Sequence, residues 1–61
     1  MNLHEAWGKR VKVTFTDGQT LSGTAHDYAS RLDNPEGKAS LCIENTIFFE
    51  DEVKNIEPII D

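Results

Sequence analysis

Cysteine is nearly absent from this sequence, because Cys42 is the only one. A single cysteine excludes an internal disulfide, and no group of Cys and His has the spacing of a structural zinc site. The sequence therefore favours a reducing, cytoplasmic location and predicts neither a bound metal nor a cofactor.

Long apolar runs and basic residues are also scarce. The longest apolar runs, Ile47-Phe48-Phe49 and Ile59-Ile60, are far shorter than the ~20 residues of a membrane helix, and no signal-peptide pattern is present. We therefore expect no membrane partner. Six basic against eleven acidic residues give a net charge of −5, which opposes non-specific attraction to phosphates. Any contact with RNA would have to be local.

The chain length of 61 residues has room for one domain, taken as residues 1–61. A core this small typically leaves no more than ~3–5 kcal/mol of stability. Because a disulfide and a metal are not expected, self-association is the favoured source of additional stability.

Local patterns predict an opening helical turn and a β-hairpin. Residues 2–7 fit one helical turn, with Asn2 as cap and Glu5 as its partner. Apolar residues then alternate with polar ones from Arg10 to Thr16, as in a strand with one buried face. Asp17-Gly18 predicts a tight turn with two positive φ angles. Gly23 lies in the middle of the returning strand and predicts a bend there.

Three shorter strands are predicted after a loop at residues 29–37. They span 38–44, 47–49 and 56–59, with a turn at Asn45-Thr46 and with Pro58 at an edge or a strand end. The fold class is therefore all-β: a five-stranded, strongly bent antiparallel small barrel, since closing the sheet on itself removes its edges.

The order of these elements resembles the Sm-like (LSm) family. The run from Val11 to Gly23 is similar to the first motif of that family, and Asp51-x-Val53-x-x-Ile56 is similar to the end of the second. The resemblance implies a ring of like subunits, in which the fourth strand of one subunit pairs with the fifth of the next. Many such rings bind RNA around the pore.

The resemblance also implies where RNA would contact the chain. Tyr28 is the motif aromatic residue, which either stacks on a base or closes the bottom of the barrel, and Asn34 lies one step out of register with the family Asn. Arg31, near the tip of the following loop, is considered on its residue type alone: it either contacts phosphate or a partner carboxylate, or is simply solvated. Family positions that usually hold Asp and Asn are Ala29 and Asp33 here. Phe49-Glu50 stands where the family often has Arg-Gly. We therefore expect RNA binding that is weak or altered.

Strand parity predicts an oligomer interface on the last two strands. If Ile47 and Phe49 fill the core, Phe48 must face outward, where an exposed aromatic residue suits a subunit contact. Ile56 and Ile59 of the final strand are assigned to the same interface.

No pattern in the sequence indicates catalysis or a small-molecule substrate. Strand parity turns His26 and Asp27 to opposite faces and turns Cys42 to the outer face, without a cationic neighbour. The sequence thus predicts a non-enzymatic, ring-forming homo-oligomer. The alternative is a monomeric small barrel of the Src-homology type, a protein-interaction module that binds a basic or Pro-rich peptide in an acidic groove.

Overall fold

Five antiparallel strands form one sheet in the computed structural model, which describes residues 1–60. The elements are α1 (Leu3–Ala6), β1 (Arg10–Phe15), β2 (Thr20–Ala29), β3 (Ser40–Ile43), β4 (Thr46–Phe49), a 3-10 helix (Glu50–Glu52) and β5 (Val53–Pro58). Their order in the sheet is β4-β3-β2-β1-β5. The predicted all-β fold of five antiparallel strands is confirmed. The sheet is not closed, because β4 and β5 lie at its two ends.

The ten-residue strand β2 bends the sheet. Its first half pairs with β1 as far as Arg10↔Thr24, and its second half pairs with β3 from Ala25↔Ile43 onward. Gly23 lies at this change of partner, as predicted. A Cβ at Gly23 would stand 2.9 Å from the Ile43 Cγ2 atom, so only glycine lets the two strands approach this closely.

The opening helical turn forms as predicted, although it is shorter. Asn2 Oδ1 accepts the Glu5 N–H at 2.8 Å, and Glu5 Oε1 accepts the Asn2 N–H at 2.9 Å, which is a reciprocal capping box. Leu3 and Ala6 of α1 are buried against the sheet. No helix within residues 1–60 is long and apolar enough to cross a bilayer.

The β1–β2 hairpin forms at Asp17-Gly18, but its turn differs from the predicted one. Only Gly18 has a positive φ angle, at 91°. Phe15 O accepts the Gly18 N–H and Phe15 N–H donates to Gln19 O, so the loop has three residues. Asp17 Oδ1 accepts the Gln19 N–H at 2.9 Å, which favours this turn over the two-residue form.

The predicted orientation of the β4 side chains was wrong. The chain turns at Glu44-Asn45 rather than at Asn45-Thr46, and this register makes Leu41 and Phe48 direct cross-strand partners. Cross-strand partners share a face, so Phe48 points into the core with Leu41. Phe48 is 2% exposed and Ile47 is 69% exposed, the reverse of the expected orientation.

The core lies on the concave side of the bent sheet. The Phe48 and Phe15 rings meet edge to face, with centroids 5.2 Å apart. The buried apolar cluster consists of Leu3, Ala6, Val11, Val13, Ala25, Ala39, Leu41, Ile43, Phe48 and Ile56. Residues of all five strands and α1 therefore contribute to one core.

Candidate functional site

Arg31, predicted to contact phosphate, is held by an intrachain carboxylate. Its Nη2 lies 2.6 Å from Glu50 Oε1, and its Nε lies 2.9 Å from Glu50 Oε2. This two-point ion pair joins the β2–β3 loop to the 3-10 helix, across 19 positions of sequence. The guanidinium is therefore already occupied by Glu50.

Glu50 also anchors the end of the loop. The Ala39 backbone N–H donates to Glu50 Oε2. Hydrogen bonds from Arg31 and from Ala39 lower the pKa of the Glu50 carboxyl to about 2, well below its ordinary 4.5. Lys38 forms a second link between the same elements, with its Nζ 2.7 Å from Asp51 Oδ2.

Asn34, the second predicted RNA contact in the loop, also has intrachain partners. Its Nδ2 donates to Lys38 O at 2.7 Å and to Ser40 Oγ at 3.0 Å. These bonds close the turn at residues 34–38 and attach it to the start of β3. The side-chain amide therefore acts in the structure of the loop.

Tyr28, the third predicted contact, lies in a cluster of three rings. One side of Tyr28 packs against the core, and Trp7 stacks on it with centroids 5.4 Å apart. His4 meets Tyr28 edge-on at 5.3 Å. Trp7 remains 51% exposed. A base that stacked on Tyr28 would have to share the ring with Trp7, so base contact at Tyr28 stays a prediction.

An open groove runs beside this cluster. It lies between the start of the chain, the end of β2 and the first part of β5, and its lining includes His4, Tyr28, Arg31, Glu50 and Asn55. The groove brings Tyr28 and Arg31 to one surface, whereas Asn34 is not among its lining residues.

The three predicted interface residues have different environments. Phe48 and Ile56 are buried in the core of their own chain, where Ile56 pairs across the strands with Val13. The outward orientation predicted for Phe48 was wrong, because its side chain faces the core. The interface role assigned to Ile56 stays a prediction, although its side chain is buried. Ile59 follows β5, is partly exposed and donates its N–H to Arg10 O at 2.9 Å. Its role in an interface stays a prediction.

The two ends of the sheet are open along β4 and β5 within the described chain. Ile43 and Thr46 flank the two-residue β3–β4 turn as a hydrogen-bonded pair. Hydrogen-bonded and non-hydrogen-bonded pairs alternate along an antiparallel ladder, so the next pair, which contains Ile47, is not hydrogen-bonded. The backbone N–H and C=O of Ile47 therefore point away from β3. On β5, Ile59 and Arg10 form a hydrogen-bonded pair. By the same alternation, Ile56 belongs to a pair that is not hydrogen-bonded, so its backbone N–H and C=O point away from β1. Pro58, which has no N–H, stands on that open edge, as predicted.

His26 and Asp27, which were predicted to face opposite sides of the strand, are joined on the outer face. His26 Nδ1 lies 2.8 Å from Asp27 Oδ2, and His26 Nε2 lies 3.0 Å from Glu44 O. Asp27 has a φ angle of 53°, which breaks the strand alternation and brings its carboxylate back toward His26. The hydrogen bond to Asp27 and then that to Glu44 O raise the pKa of His26.

Comparisons with protein-family models, with curated proteins and with solved structures found no match for this chain. What is established is the class of fold: an all-β protein with five antiparallel strands in one open, strongly bent sheet.

Proposed function

We propose that this protein is a non-enzymatic, self-assembling module, in which β4 of one subunit pairs with β5 of the next. The observation that carries this proposal is the presence of two open edges on one short sheet. Joining two different edges is a head-to-tail contact, which forms a ring when the repeated rotation closes on itself. The resemblance of the sequence to Sm-like proteins supports the same arrangement.

The chemistry of the two edges supports strand pairing between copies. Each edge offers outward backbone donors and acceptors, and an uncovered edge is a template for another strand. Ile47 on β4 adds an exposed apolar side chain, and Ile59 lies beside β5. Burying apolar surface contributes roughly 25 cal/mol per Å². Self-association would therefore add stability to a core that is small by itself.

RNA binding, if the ring has any, is weak under this proposal. Arg31 is paired with Glu50, and Asn34 is bonded to Lys38 O and Ser40, so a phosphate or base would have to replace these partners. The chain also carries a net charge of −5. Assembly, rather than tight RNA binding, is the function that these contacts favour.

The native mass of the protein tests the proposal. Light scattering after gel filtration at micromolar concentration should give several times the subunit mass of 6.9 kDa. Ile47→Lys places a charge on the β4 edge and should shift the mass toward one subunit. The matched control is Leu32→Lys, which changes an exposed apolar residue in the β2–β3 loop rather than on an edge strand. A parent mass of 6.9 kDa, or equal effects of the two variants, would contradict the proposal.

A second candidate function is supported by the partly buried Tyr28 ring, which lines the groove, and by the half-exposed Trp7 ring stacked on it. Aromatic-lined grooves on small barrels hold Pro-rich or basic peptides. The two proposals differ in native mass. A monomer that binds a Pro-rich peptide, with binding lost in Trp7→Ala, would favour the peptide-binding module.

A further inference from the structure

The outer face of the β2–β3 ladder brings together three side chains that ligate metals. His26 and Cys42 are direct cross-strand partners, so their side chains leave the sheet on the same face, opposite to Leu41 and Ile43. Nothing in their sequence spacing indicates this meeting, because 16 positions separate the two residues. The pairing of β2 with β3 creates it.

Asp27 supplies a third donor to the same place. In a regular strand its side chain would leave the opposite face from His26, but its φ angle of 53° turns it back. Glu44, whose carbonyl faces the other ring nitrogen of His26, also has a positive φ angle, at 58°. The Glu44 carbonyl lies 3.0 Å from His26 Nε2 and 3.4 Å from Cys42 Sγ. Both unusual backbone positions therefore adjoin the His26–Cys42 pair.

The donor atoms are close enough for one ion. One ligand atom each from His26, Asp27 and Cys42 lie within 4.8 Å of one another. Ligand atoms about 2.0–2.3 Å from a tetrahedral zinc ion lie about 3.3–3.8 Å from one another. The longest distance between ligand atoms must therefore shorten by about 1 Å for all three to bind one ion. Cys42 is buried, whereas the His26 and Asp27 side chains are 46% and 83% exposed, so rotation of these two side chains can supply the adjustment once their hydrogen bond is exchanged for metal bonds.

We propose that His26, Asp27 and Cys42 form a three-ligand site for Zn²⁺, with a fourth position open to water or another donor. Thiolate and imidazole select zinc over calcium and magnesium, which prefer oxygen ligands alone. On binding, the Cys42 thiol loses its proton to solvent and its sulfur coordinates the ion. An imidazolium at His26 likewise releases a proton, so the ring hydrogen bond to Asp27 or to Glu44 O is exchanged for the metal bond. The carboxylate of Asp27 offsets the charge of the ion.

Co²⁺ and Zn²⁺ titrations of the full chain under a non-thiol reductant test the site. Co²⁺ should give the strong visible bands of a tetrahedral ion and a sulfur-to-cobalt charge-transfer band in the near ultraviolet. Zn²⁺ should displace it at one ion per chain. Cys42→Ser should abolish the charge-transfer band, and His26→Gln should weaken Zn²⁺ binding at least tenfold. Asp27→Asn should weaken it less, because an amide oxygen remains.

His4→Gln is the matched control, since it removes the other histidine while leaving the cluster intact. Its titrations should match those of the parent. Circular dichroism checks that Cys42→Ser folds. If Cys42→Ser is unfolded, the test depends on His26→Gln, which changes an exposed residue and leaves the core intact. The site is ruled out if the parent shows no charge-transfer band, if His26→Gln binds as tightly as the parent, or if the stoichiometry is one ion per two chains. The expected results, one ion per chain with a sulfur-to-cobalt band, are the same for a monomer and for an assembly, so failure of this site and failure of self-assembly are distinguishable.

Discussion

Ile47 and Phe48 are neighbours in β4, yet the first is largely exposed and the second fully buried. Truncating Phe48 should therefore leave a cavity between Leu41 and Phe15, with a cost of roughly 3–5 kcal/mol. A loss of that size is comparable to the whole stability of a small domain. We expect Phe48→Ala to be largely unfolded by circular dichroism at 25 °C.

Ile47→Ala is the comparison variant for Phe48→Ala. It shortens an exposed side chain of the same strand and should change the folding of the isolated subunit by about 0.5 kcal/mol or less. Urea titrations at low protein concentration separate this folding effect from any effect on assembly. Similar midpoints for the two variants would contradict the orientation of β4.

The 3-10 helix is attached to the β2–β3 loop by the carboxylate of Glu50, and this attachment depends on pH. The pKa of Glu50 is about 2 in the folded chain and 4.5 ordinarily, so the folded state favours the ionised form. Its contribution to stability is complete above pH 4.5 and is lost as the pH falls toward 2. We expect Glu50→Gln to flatten this part of the curve of unfolding free energy against pH, measured by urea titration.

Other carboxylates titrate in the same range, so the prediction concerns the difference between variants. Glu36→Gln, in the same loop but outside the Arg31 pair, should retain the slope of the parent between pH 4.5 and 2. If Glu50→Gln and the parent lose stability in parallel over that range, the ion pair does not form in solution.

The elements that the sequence predicted are those with local signals. The capping box at Asn2 and Glu5, the alternation in β1 and the glycine at the bend each depend on residues within a few positions. The β3–β4 turn could not be located as well, because Glu44 adopts a positive φ that is unusual for glutamate. That shift of one residue reversed the orientation of β4.

The candidate sites were less predictable than the fold, because they depend on distant residues. Arg31 meets Glu50, and His26 meets Cys42, only after the strands have paired. Asp27 could be turned toward His26 only through a backbone conformation that the sequence does not signal. Phosphate contact by Arg31 was a reasonable prediction from the loop alone, since nothing in its local sequence revealed the carboxylate.

The whole molecule is acidic, and this charge should limit its affinity for RNA. We expect oligo-uridine to bind no tighter than micromolar at physiological salt and to bind more weakly as salt is raised, because phosphate contacts release counterions. Filter binding measures this directly. Glu50→Gln should strengthen binding, because it removes one negative charge and frees Arg31. Nanomolar affinity of the parent, or no gain in the variant, would contradict this view of the loop.

The antiparallel register of β1 with β5 also determines how the molecule responds to tension. Val11 lies opposite Pro58, and Phe15 lies opposite Val53. The beginning of β1 therefore lies beside the end of β5. A force that pulls the two ends of the chain apart loads the Arg10–Ile59 hydrogen bond first and then each pair in turn. The strands therefore separate by unzipping, one bond at a time, rather than by shearing of the whole ladder at once. As β5 peels away, the edge of β1 is uncovered and the buried side of Val13 is exposed to solvent.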